Sequence, residues 1–92
     1  MTQGATPEIT ELAAYLSALT AGVTARDLSD RFGTGTSLWG RYRSGERIVP
    51  WHLLEQVVAD SVADRRGRLF ALTRAKDLYN RAEAAAARAE LG

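Results

Sequence analysis

Apolar side chains recur along this 92-residue chain at three- and four-residue steps, with no stretch of strict alternation, so the pattern predicts helices throughout. Thr6-Pro7-Glu8 has the form of a helix start: a hydroxyl cap, a proline at the first helical position and an acid in the first turn. Ile9, Leu12, Ala13, Leu16 and Leu19 then predict a first helix over about residues 7–20, which Gly22 ends. Thr24 and Asp27 suit the start of a short second helix over about 25–32, with Leu28 and Phe32 four apart. Gly33-Thr34-Gly35 forms a turn, and a third helix follows over about 36–44 with Trp39 and Tyr42 on its inner side and Leu38 pointing outward. Pro50 opens a fourth helix carrying Leu53, Leu54, Val57, Val58 and Val62.

From Arg68 to Glu90 the stripe Leu69, Leu72, Ala75, Tyr79, Ala82 and Ala86, rich in alanine, predicts a long last helix. The stripe stays nearly in phase across Gly67, so two helices with a bend and one continuous helix from Pro50 both fit. About 23 helical residues would run roughly 35 Å, longer than so small a core needs. Leu69, Leu72 and Tyr79 therefore have two uses open to them: closing the core against the first helix, or meeting a second copy. The expected organisation is a loose N-terminus at 1–6, a helical unit at 7–63 and a C-terminal helix at 64–92, core-closing or dimerising. The fold class is all-α.

The bulk composition narrows the chemistry. With 46% apolar and 25% charged residues the chain is foldable, and no run approaches the roughly 18 apolar residues of a membrane span. Met1 to Thr10 lacks the cationic and apolar regions of a signal peptide, so a cytoplasmic protein is expected, without a membrane partner. Zero cysteines and one histidine leave no thiolate ligands and little for a metal site, so neither metal nor cofactor is expected. No nucleophile–base pair, no glycine-rich loop after a strand and no carboxylate cluster occurs, so an enzyme is not expected.

Net charge is only +1, but its placement is uneven. Between Arg31 and Trp51 stand four arginines (31, 41, 43, 47) and one acid, Glu46. Screening erases fields beyond roughly 8 Å at physiological salt, so this local surplus is what a phosphate would sense. Thr36, Ser37, Arg41 and Arg43 stand on the exposed positions of the third helix, a short helix of a size to enter a DNA major groove. Arg41 is the strongest single candidate, since a guanidinium can bond guanine O6 and N7 together. The arginines of the last helix read mainly as a solvated face, some of them paired with Asp77 and Glu83.

Over about residues 8–62 the chain resembles the phage-repressor and Cro-type (XRE-like) helix-turn-helix family, in its actinobacterial flavour. The resemblance rests on Leu28, Ser29, Phe32, Gly33, Trp39 and Tyr42 at scaffold positions, and on Arg41, Tyr42, Ser44, Gly45, Arg47, Pro50 and Trp51 in the run behind the third helix. It implies a four-helix repressor-like core plus the long C-terminal helix. It also implies base-edge contacts from Thr34, Thr36, Ser37 and Arg41, and phosphate contacts from Arg43, Arg47, Trp51 and His52. The expectation is a sequence-specific regulator of transcription, nucleoid-associated, that binds double-stranded DNA as a homodimer joined through Leu69, Leu72 and Tyr79. The competing expectation is an adaptor of the same architecture that docks on a protein partner and binds no DNA. Low net charge, Gly35 and Gly40 on the reading helix, and Ala25 where many members carry an amide all favour the adaptor.

Overall fold

A computed structural model describes residues 6–91 as five helices: α1 (Pro7–Leu19), α2 (Ala25–Phe32), α3 (Thr36–Ser44), α4 (Trp51–Ser61) and α5 (Arg65–Leu91). The described residues contain no strand, and the fold is all-α. Residues 1–5, expected to be loose, lie outside the described residues. Thr6 caps α1, its hydroxyl accepting from the amide of Ile9 at 3.1 Å, and Thr24 caps α2 in the same way from Asp27 at 3.1 Å. Each cap satisfies a backbone donor that the helix itself cannot. Gly33 and Gly45 close α2 and α3 in the left-handed region, at φ 79° and 89°, where a side chain would be strained.

The boundary between α4 and α5 falls before Gly67, so that glycine is not the break. Helix α4 stops at Ser61, Val62 is extended, and α5 restarts at Arg65. The carboxylate of Asp64 accepts from the Gly67 amide at 2.6 Å and so caps the new helix. A Cβ on Gly67 would lie 3.1 Å from that carboxylate oxygen and 3.3 Å from the Val62 side chain, so glycine lets the cap and its loop close. Arg68 reaches back, donating from Nε to the Val62 carbonyl at 3.0 Å and from Nη2 to that of Ala63 at 2.8 Å. One side chain thus satisfies carbonyls left open behind α4.

Helix α5 lies antiparallel to α1. Along α1, Glu8 pairs with Arg88 at 3.7 Å, Glu11 with Arg81 at 3.4 Å and with Arg74 at 3.3 Å, and the Tyr15 hydroxyl donates to the Ala71 carbonyl at 3.1 Å. Between the two helices and α4 sit Leu12, Leu16, Leu54, Val57, Val58, Ala75, Leu78 and Ala82, all buried. Leu72 and Tyr79 also pack against this core, so the chain closes its own interior with them and they are not a free dimer face. Leu69 is a different case, being 63% exposed.

Gly40 occupies an exposed position of α3, and a Cβ there would meet nothing within 4 Å. Alanine is a better helix former than glycine by about 1 kcal/mol. Gly40→Ala is therefore expected to raise stability by roughly 0.5–1 kcal/mol, read as a higher urea midpoint at unchanged slope.

Candidate nucleic-acid interface

Helix α3 is oriented by its aromatic side. Trp39 is completely buried, with the Phe32 ring 5.8 Å from it between centroids and the Tyr42 ring 5.7 Å away, edge to face. Leu28 of α2 is buried in the same cluster. Because a helix turns 100° per residue, burying positions 39 and 42 turns positions 36, 37, 40 and 41 outward. Thr36, Ser37, Gly40 and Arg41 are indeed all exposed, and Thr34 before them is half-buried. Leu38 departs from expectation: it is half-buried against the core, so it offers no apolar knob to solvent.

The arginines divide into those held within the fold and those left to solvent. Arg41 has a half-exposed side chain, and its Nε lies 3.6 Å from the Glu46 carboxylate. An exposed pair at that spacing contributes little and is readily exchanged for another partner. Arg43, expected at a phosphate, turns inward and donates from Nη2 to the Val23 carbonyl, while the Ser17 hydroxyl donates to the Arg43 carbonyl at 3.3 Å. It thus ties the end of α3 to the connection between α1 and α2. Arg31 is ion-paired with Asp60 of α4. Arg74, Arg81 and Arg88 are paired with Glu11, Asp77 and Glu8, as befits a structural face. Among the described residues, Arg26, Arg47, Arg65 and Arg66 are exposed and make no ion pair. The arginine surplus around α3 therefore reduces to Arg41 and Arg47, with Glu46 between them in sequence. Arg26, in the first turn of α2, was not among the expected contacts, because a lone arginine beside Asp27 reads as a balanced helix surface.

The two candidates at the start of α4 separate. His52 is exposed. Trp51 is half-buried, 5.9 Å from the Tyr79 ring between centroids, and the Lys76 ammonium lies 4.5 Å from its own centroid. The indole is thus packed between α4 and α5 beneath a cation, an arrangement stabilised by the ring quadrupole and not one that presents it to a phosphate. Burial raises the Tyr79 phenol above its ordinary pKa, and the nearby Glu83 carboxylate adds to the rise. Neither α3 nor α4 has a side-chain cap, since Gly35 and Pro50 stand at those positions.

An open groove of about 430 Å³ lies between Thr6, Ile9, the loop at Glu46–Ile48 and the end of α5 at Ala86–Glu90. Among the described residues no three His, Asp or Glu side chains gather where a metal ion could be held, and no helix is long and apolar enough to cross a membrane. Comparison with protein-family models, curated proteins and solved structures gives no match for the chain.

The inward turn of Arg43 separates it from Arg47 in an unfolding experiment. Arg43→Ala is expected to cost about 1–2 kcal/mol through the lost charge-assisted bond to Val23. Arg47→Ala is expected to stay within about 0.5 kcal/mol of the parent, as an exposed substitution does. Equal losses in the two variants by urea titration would contradict this division.

Proposed function

We propose that the chain is a sequence-specific double-stranded DNA-binding regulator that places α3 in the major groove, as its resemblance to the repressor-type helix-turn-helix family implies. The observation that carries this reading is the division of α3 itself. Trp39 and Tyr42 lock one side into the core, and Thr36, Ser37 and Arg41 stand together on the other, exposed. Hydroxyls and a guanidinium are suited to the donor and acceptor pattern of base edges, which an apolar or acidic face would not be. Arg41 would read a guanine, Thr36 and Ser37 neighbouring edges, and Thr34 the approach to them. Arg47 would meet phosphate, together with His52 and the uncapped first turn of α4, whose amides suit an anion. Arg26, in the helix that would lie across the groove, joins this set. A single module of this size has limited contact area, so two copies reading half-sites about 34–36 Å apart are part of the proposal.

The adaptor reading keeps one observation in its favour. Glu46 places an acidic side chain beside Arg41, on the surface that would face phosphates.

Selection from random duplexes followed by titration across salt separates the two. For DNA binding, log affinity falls linearly with log salt, and Arg47→Ala lowers the slope by about 0.9, the share of one phosphate contact. Arg41→Ala leaves the slope nearer the parent value, weakens binding to the selected duplex by about 1–3 kcal/mol and relaxes preference at one base pair. Absence of duplex binding near 50 mM salt would favour the adaptor.

A further inference from the structure

Helix α5 is 27 residues long and buries Ala75, Leu78, Ala82 and Ala85 against the rest of the chain. On the side opposite these, 100° stepping aligns Leu69, Phe70, Thr73, Ala84, Ala87 and Leu91 into one stripe, every member of it exposed. The large exposed hydrophobic side chains of the fold are on it: Leu69 at 63%, Phe70 at 73% and Leu91 at 88%. Large apolar side chains gathered on one exposed stripe mark an interaction surface. We propose that this stripe pairs with the same stripe of a second copy, the two α5 helices running antiparallel.

The order of residues along the stripe selects both the occupant and its direction. Apolar positions stand at both ends, and Asp77 and Asn80 stand between them. Reversed upon itself about a two-fold axis between Asp77 and Asn80, the stripe sets Phe70 against Ala87, Thr73 against Ala84 and Leu91 against Arg66, one turn from Leu69. A parallel pair would instead set Asp77 against Asp77, like charge on like.

The flank beside the stripe gives the same answer. Arg65 and Lys76 in its first half are basic, and Glu83 and Glu90 in its second half are acidic. Antiparallel pairing brings Lys76, which also covers the Trp51 ring, within reach of Glu83 of the second copy, and Arg65 within reach of its Glu90, the charge complementarity that flanking positions use to choose partner and orientation. On the opposite flank Arg74, Arg81 and Arg88 are already matched by Glu11 and Glu8 within the chain, so they do not oppose the approach. Arg66, Leu69, Phe70 and Thr73 line a shallow groove of about 420 Å³, where Leu91 of the second copy fits.

Such pairing deepens the two-copy reading given above and is testable without DNA. Sedimentation equilibrium is expected to give a dimer, and replacing Leu69 and Phe70 together by alanine is expected to raise its dissociation constant about tenfold or more. Both side chains are exposed, so the helical circular dichroism of that variant should match the parent's, and so should its melting at concentrations where both are monomeric. Orientation is read by cross-linking, since the chain has no cysteine of its own. Thr73→Cys mixed with Ala84→Cys should form a disulfide-linked pair faster than Thr73→Cys alone. A monomer at every attainable concentration, a dimer unaffected by the two alanines, or faster self-linking of Thr73→Cys overturns the proposal. A monomer that still binds duplex DNA with a steep salt dependence would remove the pairing alone and leave the DNA reading standing.

Discussion

The burial of one indole sets the direction of everything on α3. Trp39 has no exposed surface, and its neighbours Phe32 and Tyr42 hold it from α2 and from the next turn of its own helix. A side chain of that size removed from water contributes a few kcal/mol, more than any surface contact in the molecule. Its Nε1 has no hydrogen-bond partner, an uncompensated donor that offsets part of that gain. The ring fills the space between α2 and α3 beside Leu28, Phe32 and Tyr42. Once it is inside, the outward position of Thr36, Ser37 and Arg41 follows from helical geometry alone.

Electrostatics in this fold is mostly internal. Glu8 and Glu11 of α1 hold Arg88, Arg81 and Arg74 of α5, Asp60 holds Arg31, and backbone carbonyls hold Arg43 and Arg68. All but Arg68 join segments far apart in sequence, so a nearly neutral chain still has specific charge contacts between its helices. The exposed pairs are individually weak, and their effect is to favour one alignment of α5 on α1 over its neighbours. What remains without an internal ion pair is a small set of exposed arginines, Arg26 and Arg47 near α2 and α3 and Arg65 and Arg66 at the start of α5, too few to project a field far beyond the surface.

The helices themselves are readable in the sequence from their periodicity, and α1 and α2 also from their start signals. Thr6-Pro7 and Thr24 announce α1 and α2, and both cap as their residue types suggest. The side-chain assignments that changed involve contacts between distant residues, which spacing does not encode. Arg43 reads in the sequence as an exposed cation of the third helix, and only the approach of Val23 turns it inward. Trp51 and Tyr79 are 28 positions apart and meet because α5 folds back, which also takes Tyr79 and Leu72 out of the expected dimer face. At Gly67 spacing leaves open whether the glycine breaks the helix; it belongs to the first turn of α5, because Asp64 caps it. Leu69 and Phe70 kept their apolar signal but lie on the solvent side, because the core takes the opposite face of the same helix.

The antiparallel contact of α1 with α5 has a kinetic consequence. Tyr15 bonds to Ala71, 56 positions away, and Glu11 to Arg81, 70 positions away, whereas α2 and α3 are neighbours in sequence joined by a three-residue turn. Loop-closure entropy makes the local pair quick to assemble and the distant one slow. The part of the molecule that carries the outward arginine can thus take shape early, with α1 packing on α3 and α4 through the shared core. The side of α1 that meets α5 is covered only when the far end of the chain folds back, so a chain cut ahead of residue 65 would leave that apolar strip in water and open to self-association.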